Sequence, residues 1–212
     1  MTNIQVINQI TSWAEPYHMD YLENLKIINQ IVTDNQFYLP ANIFYSATSE
    51  LDDHPDATLR DCRRSFALFA HSCDVIVEQG FNAGHNAMLA LTVNDQLRYI
   101  STDKITNTVS RACYHYLKNS FGLRLEYHIG PDATDKLILP DKKTGFVIEG
   151  SYNECMVKHT ETVKRLGRSG DLVMFNNLYT PEQAYVVCWA QMQMNLVPMF
   201  YNADKQMVFF LR

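Results

Sequence analysis

Residues 77–91 read VEQGFNAGHNAMLAL and carry the clearest structural signal in the chain. They continue a β-branched run, DVIVE at residues 74–78, which is typical of a buried parallel strand. Gly80 and Gly84 allow a tight turn and let a ligand approach the backbone. The helical pattern that starts at His85 would present free N–H groups and the positive end of a helix dipole to that turn. The segment therefore predicts a strand, a ligand-binding turn and a helix in succession.

The same alternation continues along the rest of the chain. Short apolar runs at residues 98–102, 123–129, 145–149 and 171–175 alternate with helical patterns, and runs at 196–201 and 206–211 flank a turn-forming Asn-Ala-Asp-Lys sequence. Five strand–helix units followed by a hairpin predict an α/β fold with a doubly wound, mainly parallel, seven-stranded, Rossmann-like sheet and a terminal antiparallel β-hairpin. Sheets of this kind bind ligands at the carboxyl ends of their strands, where the strand order reverses.

The N-terminal part of the sequence differs from the rest. All eight glycines lie at or after Gly80. Apolar residues recur at helical spacing over residues 4–13 and 21–32, and residues 37–44 form an apolar loop. We therefore expect N-terminal helices outside the alternating pattern.

Composition excludes several classes of protein. Of the 212 residues, 47% are hydrophobic and 12% aromatic, so the chain is not disordered. Eighteen basic and 23 acidic residues give a charge of −5, which argues against nucleic-acid and anionic-membrane partners. Five cysteines without a CxxC pair argue against a disulfide scaffold or a zinc ribbon. Because no signal-peptide or membrane-spanning pattern is visible, we expect a cytoplasmic protein.

A carboxylate follows the second predicted strand. Asp103 lies 25 residues after Glu78 and is placed to accept both hydroxyls of a ribose. The dinucleotide fingerprint needs Gly-x-Gly-x-x-Gly, the last glycine for close helix packing. Counted from Gly80, this chain has Asn82 and His85 where the fingerprint requires its second and third glycines. An NAD-dependent oxidoreductase is therefore a disfavoured alternative.

The segment instead resembles the first motif of class I S-adenosylmethionine-dependent methyltransferases, acidic-x-Gly-x-(Gly or Asn)-x-Gly. It is most similar to the small-molecule O-methyltransferase-like branch, in which Gly-x-Asn-x-Gly-His is common. The terminal hairpin fits this family, and the resemblance extends from about Leu59 to Arg212. It implies a helical lid or appendage at residues 1–58 and an S-adenosylmethionine-binding, methyltransferase-like domain at residues 59–212.

The resemblance also implies a set of cofactor-binding residues. The turn would hold the methionine end of S-adenosylmethionine, Asp103 the ribose, and the turn after the third strand the adenine. Glu149 stands where the family has Asp at the end of the fourth strand. The implied cofactor-binding residues are Glu78, Gly80, Asn82, Gly84, His85, Asn86, Asp103, Asp132, Ala133 and Glu149.

The sequence departs from the family pattern on the acceptor side. The family phrase Asp-Gly-x-His-x-Tyr-Glu is shortened here to Glu-Gly-Ser-Tyr-Asn-Glu at residues 149–154 and lacks its His. Metal-dependent relatives have Asp-Asn at the end of the fifth strand, whereas this chain has Asn176-Asn177. One glutamate and two neutral amides form a weak Mg²⁺ site, so we expect no catalytic metal. The candidates for a general base are Tyr152, Glu154 and His159.

The leading hypothesis is methyl transfer from S-adenosylmethionine to oxygen or nitrogen of a small-molecule acceptor. Relatives in this branch often pair, so a homodimer is an open expectation. The alternative is a catalytically degenerate methyltransferase-like domain that binds a nucleoside ligand or a protein partner. The departures on the acceptor side motivate this second hypothesis.

Overall fold

The computed structural model describes residues 18–39, 42–45, 51, 55, 57–149, 153–178, 180–202 and 206–212. The helix predicted over residues 4–13 lies outside this range. The helices are α1 (His18–Asp34), α2 (Arg60–His71), α3 (His85–Val93), α4 (Thr108–Phe121), α5 (Asn153–Leu166) and α6 (Pro181–Met194). The strands are β1 (Val75–Gln79), β2 (Arg98–Asp103), β3 (Leu125–Ile129), β4 (Thr144–Glu149), β5 (Leu172–Asn176), β6 (Leu196–Asn202) and β7 (Gln206–Leu211).

These strands form one sheet in the order β3-β2-β1-β4-β5-β7-β6. The first five strands are parallel, and β7 is antiparallel to both β5 and β6. The predicted doubly wound sheet with a terminal hairpin is therefore confirmed. The strand order reverses between β1 and β4, and the carboxyl ends of these two strands lie side by side. This is the position at which such a sheet is expected to bind a ligand.

One detail of the predicted alternation is wrong. The prediction counted five strand–helix units, but β3 is followed by turns at residues 131–136 and by extended chain, with no helix in the fully described range 130–143. Gly130 has a φ of +141°, and Pro131 and Pro140 lack the N–H that a helix interior requires. The connection to β4 therefore crosses the sheet without a helix.

The core lies on both faces of the sheet. One hydrophobic cluster joins α1, α2, α3 and α4 to the sheet, and the other joins α5 and α6 to the opposite face. In α1 the side chains of Tyr21, Leu25, Ile28 and Val32 are at most 2% exposed and belong to the first cluster. The described part of the N-terminal region thus shares a core with the sheet. Among the described residues, no helix is both long enough and apolar enough to cross a bilayer.

The turn between β1 and α3 depends on one glycine. Gly84 has a φ of +79° and occupies the position just before α3. A Cβ atom there would lie 2.5 Å from Phe81 Cζ and 2.8 Å from Leu117 Cδ1. Leu117 belongs to α4, so the missing side chain lets three elements approach closely. Gly84 therefore sets where α3 begins relative to the carboxyl end of β1.

We expect Gly84→Ala to lower the free energy of unfolding by about 1–3 kcal/mol more than Gly170→Ala. Both glycines have positive φ values, +79° and +94°, so each substitution strains the backbone. A Cβ at Gly170 meets nothing within 4 Å. The measurement is urea unfolding of both variants, and equal losses would show that the steric contact is unimportant.

Candidate functional site

A cleft open to solvent lies beside the carboxyl ends of β1 and β4. It contains predicted cofactor residues from the β1–α3 turn, from α3 and from the end of β4. It also contains two residues from the N-terminal region, which sequence analysis did not identify. The lining residues are Leu39, Asn42, Glu78, Gly80, Phe81, Asn82, His85, Asn86 and Glu149.

Two carboxyl groups meet at the inner wall of this cleft. Asn86 Nδ2 donates to Glu78 Oε1 and to Glu149 Oε1, each at 2.7 Å. Burial raises the pKa of Glu78 well above its ordinary value, and the nearby Glu149 carboxylate raises it further. Burial also raises the pKa of Glu149, against the effect of its amide hydrogen bonds. This acid pair, Glu78 and Glu149, therefore resists full ionisation and favours a cationic partner.

Three further amides hold Glu149 in place. Glu149 and Asn176 are register partners at the ends of β4 and β5. Asn176 Nδ2 donates to Glu149 Oε1 at 2.9 Å, and Asn177 Nδ2 donates to Oε2 at 2.6 Å. Gln206 Nε2 in turn donates to Asn176 Oδ1 at 2.8 Å. The Asn176-Asn177 pair, noted in the sequence as a departure from metal-binding relatives, therefore orients a carboxylate.

Asp103, predicted to hold a ribose, is fixed by two donors. Its Oδ2 atom accepts from the Phe81 backbone N–H at 3.1 Å and from the Tyr127 hydroxyl at 2.6 Å. Burial raises the pKa of Asp103, and both hydrogen bonds oppose that shift. The rings of Phe81 and Tyr127 pack with their centroids 4.9 Å apart, and Tyr114 packs against both. Sequence analysis missed Tyr127, which lies on the neighbouring strand β3.

His85 connects α3 to the N-terminal region. Its Nε2 atom lies 3.2 Å from Asn29 Oδ1, and Asn29 Nδ2 donates to the Tyr45 hydroxyl at 2.7 Å. Because the amide oxygen of Asn29 must accept, His85 Nε2 carries the proton. Burial lowers the pKa of His85 to about 3, so the ring is neutral at physiological pH. His85 thus acts here as a polar link and not as a cation.

Neither Asp103 nor Gly84 is among the residues that line the cleft, and the remaining predicted residues that the structure describes do not line it either. Asp132 is exposed, and its Oδ2 atom lies 3.7 Å from Lys136 Nζ. The next residue, Ala133, is partly buried. Glu154 is exposed on α5. Burial and the charge of Lys104 lower the pKa of His159 to about 4. Tyr152 lies outside the described residues, so its predicted role stays a prediction.

We expect Tyr127→Phe to raise the pKa of Asp103 above its wild-type value. The variant removes a donor that stabilises the ionised carboxylate and keeps the aromatic ring. The measurement is a pH titration of the Asp103 carboxyl carbon by NMR. Tyr114→Phe is the matched control, since the Tyr114 ring packs 5.4 Å from Tyr127 without a hydrogen bond to Asp103. An unchanged titration of Asp103 in Tyr127→Phe would contradict the assigned contact.

Comparisons with known proteins give matches only at the level of structure. No protein-family model matches the sequence, and no curated protein matches it. A methyltransferase from Geobacter sulfurreducens has 10% identity and a TM-score of 0.61, with 89% of each chain covered. The O-methyltransferase TomG from Streptomyces achromogenes, solved with S-adenosylmethionine, has 13% identity and a TM-score of 0.58, again with 89% of each chain covered.

A third match differs in the type of methyl transfer. The N-methyltransferase NodS from Bradyrhizobium japonicum, solved with S-adenosylhomocysteine, has 10% identity and a TM-score of 0.54. The match covers 74% of this chain and 88% of NodS. Likeness at such low identity concerns the fold, and the sheet order and terminal hairpin agree with it. The chain has the fold of class I S-adenosylmethionine-dependent methyltransferases.

Proposed function

We propose that this protein transfers a methyl group from S-adenosylmethionine to oxygen or nitrogen of a small-molecule acceptor. The observation that carries the proposal is the acid pair beside the glycine turn, at the point where the strand order reverses. Structural neighbours support it, because TomG and NodS are methyltransferases solved with S-adenosylmethionine and S-adenosylhomocysteine. When bound, this cofactor would supply an electrophilic methyl group on a sulfonium.

The residues present fit the amino-acid end of such a cofactor. No lysine or arginine is among the described residues that line the cleft, so the acid pair has no cationic partner there. Asn86 Oδ1 is buried, and no described residue donates to it. An ammonium group has three donors, which suits two carboxyl groups and one amide oxygen. We assign Glu78, Asn86 and Glu149 to this end of the cofactor.

The rest of the proposed cofactor site follows from the turn and from β2. A Cβ at Gly80 would meet nothing within 4 Å, so the backbone there is open to a ligand. Asp103 would accept hydroxyls of the ribose through Oδ1, since Oδ2 already accepts two hydrogen bonds. We keep Asn82 and Gly84 as turn residues of this site, and Asp132 and Ala133 as neighbours of the adenine.

The protein's contribution to the reaction would be mainly orientation. Fixed positions for donor and acceptor convert a bimolecular step into an effectively unimolecular one. Leu39 and Asn42 bring the N-terminal region to the cleft, so we propose that residues 1–58 cover the acceptor. The acidic composition and the free cysteines support a cytoplasmic enzyme with a small-molecule substrate. We assign no general base.

Calorimetry of S-adenosylmethionine and S-adenosylhomocysteine tests the proposal directly. We expect micromolar binding to the wild type and a loss of about 1–3 kcal/mol in Asp103→Asn, because a charged acceptor is removed. The matched control is Asp95→Asn, an exposed position remote from the cleft lining. Folded wild-type protein that binds neither ligand would overturn the proposal and favour a degenerate scaffold.

Binding should also release a proton. Burial raises the pKa of Glu78 in the free protein, so this carboxyl holds a proton at a pH where an ordinary glutamate is ionised. An ammonium beside it favours the ionised form, so binding expels the proton and affinity rises with pH through the free-protein pKa.

The measurement is calorimetric titration of S-adenosylhomocysteine in buffers of different ionisation enthalpy near neutral pH. We expect proton release in the wild type, a smaller release in Glu78→Gln, and no change in the exposed control Glu161→Gln. Equal release by all three proteins would show that Glu78 does not face the ammonium.

A further inference from the structure

The connection between β3 and β4 has little apolar anchoring. It contains no helix, and within the fully described range 130–143 only Leu137 is buried. The next residue, Ile138, is 90% exposed. A segment with so few buried apolar contacts opens easily unless other contacts hold it. We call residues 130–136, which follow directly on β3, the β3 turn.

The β3 turn lies against the end of β2. The backbone N–H of Gly130 donates to the carbonyl oxygen of Asp103 at 2.9 Å. The hydroxyl oxygens of Thr134 and Thr102 lie 3.3 Å apart, within hydrogen-bond distance. Asp103 is the residue proposed to bind the ribose, and the base of a nucleoside is joined directly to its ribose. A base attached to that ribose would therefore lie near the β3 turn.

Arg165 connects the β3 turn to α5. It belongs to the last turn of that helix, where the helix dipole favours a cation. Its Nη2 atom donates to the Thr134 carbonyl oxygen at 2.9 Å and lies 3.4 Å from Asp135 Oδ1. One guanidinium group thus contacts a backbone acceptor and a carboxylate on neighbouring residues of the turn.

Arg168 makes similar contacts at the other end of the connection. Its Nη1 atom lies 2.7 Å from Asp141 Oδ1 and 3.3 Å from the Pro140 carbonyl oxygen. These two acceptors precede β4 and lie outside the β3 turn. The side chains of Arg165 and Arg168 are 42% and 47% exposed, so the two arginines differ mainly in which part of the connection they hold.

We propose that Arg165 is a positioning residue for the nucleoside end of the cofactor, because it holds the β3 turn against β2 in the conformation that contacts the base. The inference rests on the proposed function. Arg165 acts through the Thr134 carbonyl group and the Asp135 carboxylate. Its effect should therefore be confined to ligands that carry a base.

The contact should also make binding of a base sensitive to salt. The side chain of Asp135 is 74% exposed, so dissolved ions screen its attraction to Arg165. Added salt should weaken the hold on the β3 turn and lower the affinity for S-adenosylhomocysteine. A protein without the Arg165 guanidinium should lose less affinity on the same addition of salt.

The decisive variant is Arg165→Met, which removes both contacts and keeps a side chain that favours helix. Calorimetry compares S-adenosylhomocysteine with S-ribosylhomocysteine, which keeps the amino acid and the ribose and lacks the adenine. At low salt we expect about a three- to fivefold loss of affinity for S-adenosylhomocysteine. Affinity for S-ribosylhomocysteine should be unchanged. At high salt the wild-type affinity for S-adenosylhomocysteine should approach that of the variant.

Matched controls separate positioning from a general loss of stability. Arg168→Met removes the same charge from the other end of the connection, and it should keep both wild-type affinities and the wild-type salt dependence. Arg165→Lys keeps the charge and should restore part of the lost affinity. Thermal unfolding verifies that each variant is folded, and Asp135→Asn, which removes the charge of the partner, replaces Arg165→Met if the latter is not folded.

Equal losses for the two ligands in Arg165→Met, equal losses in Arg165→Met and Arg168→Met, or no loss at all would overturn the role of Arg165 while the proposed function stands. If S-ribosylhomocysteine does not bind to the wild type, the salt comparison decides, and the same salt dependence in wild type and Arg165→Met overturns the role. Wild-type protein that does not bind S-adenosylhomocysteine would instead refute the proposed function itself.

Discussion

The amide of Asn86 imposes the constraint on which the site depends. A side-chain NH₂ group has two hydrogens, and here each is donated to a different carboxyl group, Glu78 and Glu149. One amide can reach both carboxyl groups only if the carboxyl ends of β1 and β4 are neighbours and if α3 begins directly beside them. The reversal of strand order provides the first condition. The close packing of Gly84 against Phe81 and Leu117 provides the second.

Burying two acids side by side is unfavourable for folding in the absence of a ligand. The surrounding groups reduce this free-energy cost without removing it. Asn176 and Asn177 donate to Glu149, and Gln206 on the terminal hairpin fixes Asn176. Every one of these partners is a neutral amide, so hydrogen bonds are satisfied while the negative charge remains uncompensated. Such an arrangement stores electrostatic free energy that a cationic ligand recovers on binding. The terminal hairpin thus contributes to the site as well as to the sheet.

Much of this architecture could be predicted from local sequence. The β-branched runs predict the strands, and the glycine spacing together with Asp103 predicts the binding edge. The helix-free connection after β3 was not predicted, because Gly130, Pro131 and Pro140 act against a simple count of alternating units. Partners distant in sequence were also missed. Tyr127 reaches Asp103 only through the pairing of β2 with β3.

Asn42 shows most clearly why such residues escape sequence analysis. It lies in a short polar-to-apolar loop, 36 positions before Glu78, and no local pattern links it to the glycine turn. Its position depends on packing of residues 42–45 against α1 and α2, including the contacts of Phe44 with Tyr21 and of Ile43 with Arg63. The side chains of Ile43 and Phe44 belong to the same core as α3. Because Asn42 lines the same cleft as the acid pair, a ligand bound there would contact both the N-terminal region and the sheet, so that separating residues 42–45 from the sheet would cost more free energy with ligand bound.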